Sequence, residues 1–163
     1  MDNLGPISLF LALALATYSV VGSLLGIWKR DPRFIESARH ANYLAPVALG
    51  IATASLVGAF VTHDFQVEYV ALHSSRAMDP QYIWVAFYAG NQGSLLFIAF
   101  ALSIMAALAV YFAPRVLQPS LPYTNVVLMA VLAFFVATTM FLANPFARCL
   151  PDPYTYRLCL QYE

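Results

Sequence analysis

Four long runs of apolar residues organise this chain, and its polar residues fall mostly between them. The runs cover about residues 5–28, 41–61, 95–112 and 125–143, and none contains Lys, Arg, Asp or Glu. Each is close to the roughly 20 residues that an α-helix needs to cross a hydrocarbon core of ~30 Å. The pattern predicts an all-α integral membrane protein: four transmembrane helices, with an outward-facing loop between the second and third. Pro46 is expected to kink the second helix and free a carbonyl one turn earlier. Gly22 and Gly26 stand four apart in the first run, as do Gly50, Ala54 and Gly58 in the second. Small residues at that step let helix backbones approach closely. Packing within the bundle is the simpler reading, and docking against further helices is the sharper one.

The connection over residues 62–83 reads "THDFQVEYVALHSSRAMDPQYI". Phe65, Val67 and Tyr69 alternate with Gln66 and Glu68, a period of two that predicts a short strand or extended segment. Asp79 and Pro80 mark a turn. Tyr82, Trp84, Phe87 and Tyr88 form an aromatic group suited to a membrane–water interface, and predict a short interfacial helix. The polar quartet Asn91, Gln92, Gly93 and Ser94 follows, at the outer rim of the third span. Ser94 is expected to cap that helix, and Gly90 and Gly93 to allow close backbone approach beneath the aromatic cluster.

Composition supports the membrane reading. The 163 residues are 61% hydrophobic and 10% charged, with a mean hydropathy of +0.71, whereas soluble domains carry about 25% charged residues. Formal net charge is zero, which leaves no basic surface for nucleic acid and excludes that class of partner. The arrangement of charge says more than its sum. Lys29, Arg30, Arg33, Arg39 and Arg115 lie in the first and third connections; Arg76, Arg148 and Arg157 lie on the other side. The excess of basic residues predicts that the first and third connections face the cytoplasm. The N-terminus, the 62–83 loop and the tail then face outward. Lys29 and Arg30 follow the first run and only Asp2 precedes it, the pattern of a retained helix rather than a cleaved signal peptide.

Candidate chemistry is sparse. His40, near the start of the second run, reads as an interfacial anchor. His63 and His73 share the outward loop and are candidate metal or haem ligands through a neutral imidazole, with a solvated-loop role as the simpler alternative. Cys149 and Cys159 fall in the tail as "CLPDPYTYRLC", without a CxxC or CxxCH pattern. A disulfide closing this Pro-rich loop in an oxidising periplasm is one reading, and two thiols the other. No catalytic residue is assigned, since there is no Ser-His-Asp set, phosphate loop or zinc motif. No metal site is assigned either. The spans carry no ionisable residue, which argues against a proton relay or a transporter half.

Taken together, "IWVAFYAGNQGSLLFIAFAL" and "FLANPFAR" resemble the N-terminal region of the cytochrome c-type biogenesis protein CcmF family. The residues that carry the resemblance are Trp84, Gly90, Asn91, Gln92, Gly93 and Ser94, then Asn144, Pro145 and Phe146. "HDFQVEYVA", Ser74 with Ser75, and "KRDPRFIESARHANYLA" are similar to family stretches as well. The resemblance covers residues 1–148 as a transmembrane region and leaves 149–163 as an outward-facing tail. It implies a haem lyase component that attaches haem to apocytochrome c on the outer face of a bacterial plasma (inner) membrane. Haem would then act through the complex rather than on this chain alone. The partners implied are a larger membrane protein carrying a Trp-rich haem-binding segment and, indirectly, apocytochrome c and a haem chaperone.

Three departures qualify the likeness. The family's His-Glu is here Asn91 and Gln92, which keep hydrogen-bonding capacity but lose both titratable groups. The tail after Arg148 differs, and the sequence ends at Glu163 while the family continues through many more helices. The expected role is therefore a scaffold for haem delivery, as a split subunit or a truncated relative. An accessory structural subunit of another membrane complex, such as a respiratory one, is the competing expectation.

Overall fold

The structure, a computed structural model, describes residues 3–74 and 82–148. Four long helices form it: α1 (Leu4–Lys29), α2 (Pro32–Val61), α5 (Asn91–Tyr111) and α6 (Leu121–Phe141). Two short helices, α3 (Glu68–His73) and α4 (Ile83–Ala89), lie between α2 and α5, and a 3-10 turn over Arg115–Ser120 leads into α6. The long helices form a ring in which α1 packs on α2, α2 on α5, α5 on α6 and α6 back on α1. All four are long and apolar enough to span a membrane, with mean hydropathies of 2.0, 2.0, 2.4 and 2.0. One end of the bundle, the elbow end, holds the α1–α2 turn and the α5–α6 connection. The other, the loop end, holds the start of α1, α3, α4 and the segment after α6.

Small side chains build the core. Ala12, Ala16, Ala45, Ala48, Ala52, Ala99 and Ala106 are fully or almost fully buried, while Phe10, Val47, Met105, Phe134 and Phe141 are exposed. In water that distribution would be costly; in lipid, large apolar side chains face the solvent and small ones let backbones pack. The glycine spacing in α1 serves packing within the bundle. A Cβ on Gly22 would stand 3.3 Å from that of Ala38, and one on Gly26 would stand 2.5 Å from Ile35 Cγ1. Gly50 meets the ring of Phe100 on α5, but Gly58 has open space before it.

The second helix begins nine residues earlier than its apolar run. Arg30 ends α1 in a left-handed conformation (φ 54°), and Asp31 caps α2 by accepting the N–H of Arg33 at 3.0 Å. Pro32 then occupies the first turn, where its missing N–H costs nothing. Asp31 and Pro32 are thus the start signal, and the charged stretch that follows is helical. The 30 residues of α2 extend about 45 Å, so its first turns reach beyond a hydrocarbon core of ~30 Å. Pro46 lies inside α2, which continues through it.

Two further expectations are corrected. The period-two segment forms no strand: Tyr69 lies in α3, while Val67 is extended and makes an isolated bridge to Arg148. Ser94 is not a cap either. The third span starts at Asn91 with Gly90 as its N-cap, and Ser94 Oγ donates back to the Asn91 carbonyl at 3.1 Å. The interfacial helix expected around Trp84 and Phe87 is α4. Arg76, Asp79 and Pro80, and Cys149 and Cys159, lie outside the described residues.

Candidate functional site

Of the residues singled out in sequence, Gly90, Gly93 and His73 meet at the loop end around a tyrosine that the sequence pattern did not single out for chemistry. Tyr69 on α3 is 1% exposed, and its ring meets Phe60 edge-on at 5.5 Å. Its hydroxyl donates to the carbonyl of Phe87 at 2.8 Å and accepts the N–H of Gly90 at 3.2 Å. Both partners sit where α4 ends and α5 begins. One phenol thus bonds a backbone carbonyl and a backbone N–H at the helix break.

This arrangement explains both glycines. Gly90 is extended (φ −109°, ψ 162°), so its need is for space rather than for an unusual backbone angle. A Cβ there would lie 2.6 Å from Tyr69 Cε2 and 2.9 Å from its hydroxyl. A Cβ on Gly93 would run into the Phe87 carbonyl oxygen and stand 2.7 Å from the Tyr69 hydroxyl. Burial pushes the Tyr69 phenol above its ordinary pKa, opposed in part by the backbone N–H groups of Gly90 and Gly93.

His73 joins the same knot. Its ring packs 4.6 Å from that of Tyr69, and its Nδ1–H donates to the Tyr69 carbonyl at 3.1 Å. The other ring nitrogen, Nε2, lies on the side of Gly90, 3.0 Å from where a Cβ on that residue would stand. His63 lies elsewhere, in a left-handed turn (φ 52°) after α2, with Phe65 at 6.1 Å. The two histidines therefore have different surroundings. Asn91 is exposed and Gln92 half-buried on the first turn of α5, and Trp84 is on the first turn of α4.

The second motif closes the other side of α3. Asn144 Oδ1 accepts the N–H of Phe146 at 3.0 Å and turns the chain, so that the Phe146 ring packs against Gly5 of α1. The next carbonyl, that of Ala147, accepts the N–H of Glu68 at 2.9 Å, at the first residue of α3. Thus α3 is tied to the α4–α5 break by Tyr69 and to the segment after α6 by Glu68. These named bonds make the arrangement a tie between segments. The sequence signal for it was the glycine pair; the tyrosine between them had none.

Comparison with known proteins bears on what this end belongs to. No family model matches the chain. It is 30% identical over 154 residues to the cytochrome c-type biogenesis protein NrfE of Haemophilus influenzae, covering 94% of this chain and 24% of that one. It is 32% identical over 152 residues to CcmF of Pseudomonas fluorescens, covering 93% and 23%, and 30% identical to CcmF of Escherichia coli. A solved structure, "Cytochrome c Heme Lyase CcmF", superposes with a TM-score of 0.84 at 24% identity over 98% of this chain and 26% of that one. The chain is CcmF-like. It spans about a quarter of the length of these CcmF-type relatives, and with four spanning helices it is a multi-pass protein of bacterial inner-membrane type.

His63 and His73, the candidate haem ligands, have different ring neighbours, Phe65 and Tyr69, and no group of three His, Cys, Asp or Glu comes together among the described residues. A groove of about 520 Å³ near α4 is lined by Val85, Phe87, Tyr88, Ala89 and Phe97, none of which offers a nitrogen ligand.

Proposed function

We propose that this chain is the N-terminal portion of a CcmF-like haem lyase assembly in cytochrome c maturation, acting as a scaffold for haem delivery rather than as the site of attachment. The observation that carries the reading is the meeting of two motifs in space. Gly90 and Gly93 close on Tyr69 from one side of α3, and Asn144 with Phe146 secures the other. Residues far apart in sequence that resemble one family thus build one end of the bundle. By the sequence excess of basic residues, five in the first and third connections against three elsewhere, the loop end is read as facing outward, where apocytochrome c would receive haem.

In this reading the haem ligands and the Trp-rich segment lie in the larger remainder of the assembly, on a continuing chain or a separate partner. The direct partner is that membrane segment; apocytochrome c and the haem chaperone are met through it. The test is deletion of these residues from the native organism, with haem staining of its c-type cytochromes. Loss of stain, together with co-purification of a larger haem-binding membrane component, is expected. Undiminished covalent haem after deletion overturns the proposal.

Asn91 and Gln92, in place of the resembled His-Glu, favour a second reading: an accessory subunit of another membrane complex. The same deletion would then spare haem attachment and lower a different membrane activity.

A further inference from the structure

At the elbow end, far from the Tyr69 knot, a groove of about 310 Å³ opens between the α1–α2 turn and the start of α6. Gly26 and Ile35 form one wall and Pro119, Pro122 and Tyr123 the other, with Arg30 as the cation on its lining. Its volume lies in the range of small-ligand clefts, ~300–1,000 Å³. A much smaller cavity of about 10 Å³ shares Ile35 and Pro122 with the groove and is lined by Arg39, Ser23 and Asn125.

The charge around this groove is unbalanced. Residues 29–40 carry the bases Lys29, Arg30, Arg33 and Arg39 against the acids Asp31 and Glu36. Asp31 gives its carboxylate to the N–H of Arg33, and Lys29 Nζ lies over the Phe34 ring at 5.6 Å. Arg39 Nε is buried without a hydrogen-bond partner among the described residues, and Arg39 Nη2 reaches only the Tyr43 hydroxyl, at 3.5 Å. Cationic groups beside a low-dielectric wall produce a strong local potential and favour an anion.

The groove also has an apolar continuation. Tyr123, Val127 and Val131 are exposed at steps of four along α6, a stripe running from the rim toward the middle of the bilayer. A ligand suited to both features has an anionic head and a hydrocarbon tail.

We propose that this groove is a seat for an anionic membrane phospholipid, with its phosphate at Arg30 in the field of Arg39 and an acyl chain along the α6 stripe. Basic pockets between transmembrane helices recognise anionic headgroups in this manner. The site is independent of the haem lyase reading and places no demand on it. It would pin the α1–α2 elbow and the α5–α6 connection at one depth in the membrane.

The test is native mass spectrometry of the full chain in mild detergent with phosphatidylglycerol and phosphatidylcholine at equal concentration. One arginine contact near the surface corresponds to about a fivefold preference for the anionic lipid. Arg30→Gln is expected to bring the ratio close to one; Arg30 is exposed, so the variant folds. Lys29→Gln, whose ammonium is over Phe34 rather than in the groove, is expected to keep the preference. A wild-type ratio near one, or an Arg30→Gln ratio equal to wild type, overturns the proposal. An inorganic phosphate arm distinguishes the source of the anion: displacement of the lipid by phosphate at millimolar concentration would make this a free-anion site and overturn the lipid assignment.

Discussion

The hydroxyl of Tyr69 lies 2.8 Å from the carbonyl oxygen of Phe87, in the break between α4 and α5. It also receives the N–H of Gly90, so one buried side chain completes the backbone hydrogen bonding of a broken helix. Tyr69→Phe removes only the oxygen and keeps the ring. Losing these two hydrogen bonds costs about 1–3 kcal/mol. The variant is expected to unfold earlier in a denaturant titration in mixed micelles, with faster hydrogen exchange at the Gly90 amide. Unchanged exchange there would show that the phenol is not what holds the break.

The same group sets an alkaline limit. Burial raises the folded-state pKa of Tyr69 above its ordinary value near 10. Above that value the unfolded chain has released the phenolic proton while the folded chain still holds it, so stability falls as pH rises. Its contribution is fully present below about pH 10 and is lost as pH climbs through the folded-state value. Denaturant midpoints measured from pH 8 to 11 are expected to fall at the alkaline end for the native sequence. Tyr69→Phe is expected to show a shallower fall, because Phe has no proton to lose.

The four spans were legible because lipid demands long runs without charge, and residues 5–28, 41–61, 95–112 and 125–143 supply them. Their ends were less legible. The start of α2 was hidden because hydropathy begins at residue 41, whereas the helix begins where Asp31 caps it and Pro32 fits its first turn. At α5 the polar quartet reads as a rim, yet Gly90 is the cap and the quartet is the first turn. The alternation of Phe65, Val67 and Tyr69 suggested a strand, but burial of the Tyr69 ring against Phe60 and its bond to Phe87 hold a helix instead. Tyr69 is one of ten tyrosines, and its partners are backbone atoms, so no side-chain pattern distinguishes it. Gly90 and Gly93 signalled close approach without revealing what approaches.

Two glycines separate space from propensity. Gly93→Ala places a Cβ against the Phe87 carbonyl oxygen and beside the Tyr69 hydroxyl, both held by the knot. Gly58→Ala adds the same atom into open space on α2. Ala is favoured over Gly in a helix interior by about 1 kcal/mol. Gly93→Ala is expected to lower thermal stability and folded yield, and Gly58→Ala to maintain or raise them, in parallel melts monitored by circular dichroism. Equal effects would mean that the α4–α5 break relaxes at no cost.

A buried polar network crosses the bundle near the elbow end, and its two asparagines are not equivalent. Asn42 Nδ2 donates to Asn125 Oδ1 at 2.7 Å, while Asn125 Nδ2 reaches Ser19 Oγ and Ser23 Oγ, each at 2.9 Å. Ser19 in turn donates to the Ala38 carbonyl at 2.8 Å, which joins α1, α2 and α6. Asn42 Oδ1 is buried without a partner among the described residues. Replacing Asn125 by Leu removes three side-chain bonds, and replacing Asn42 by Leu removes one bond along with an unsatisfied oxygen. Interhelical hydrogen bonds in membranes average about 0.6 kcal/mol each. Asn125→Leu is therefore expected to cost about 2 kcal/mol, and Asn42→Leu well under half as much, in unfolding titrations of the two variants. The double variant is expected to resemble Asn125→Leu, because the shared bond is already gone. Additive losses would show that the two amides act separately and that the network is not the unit joining α2 to α6.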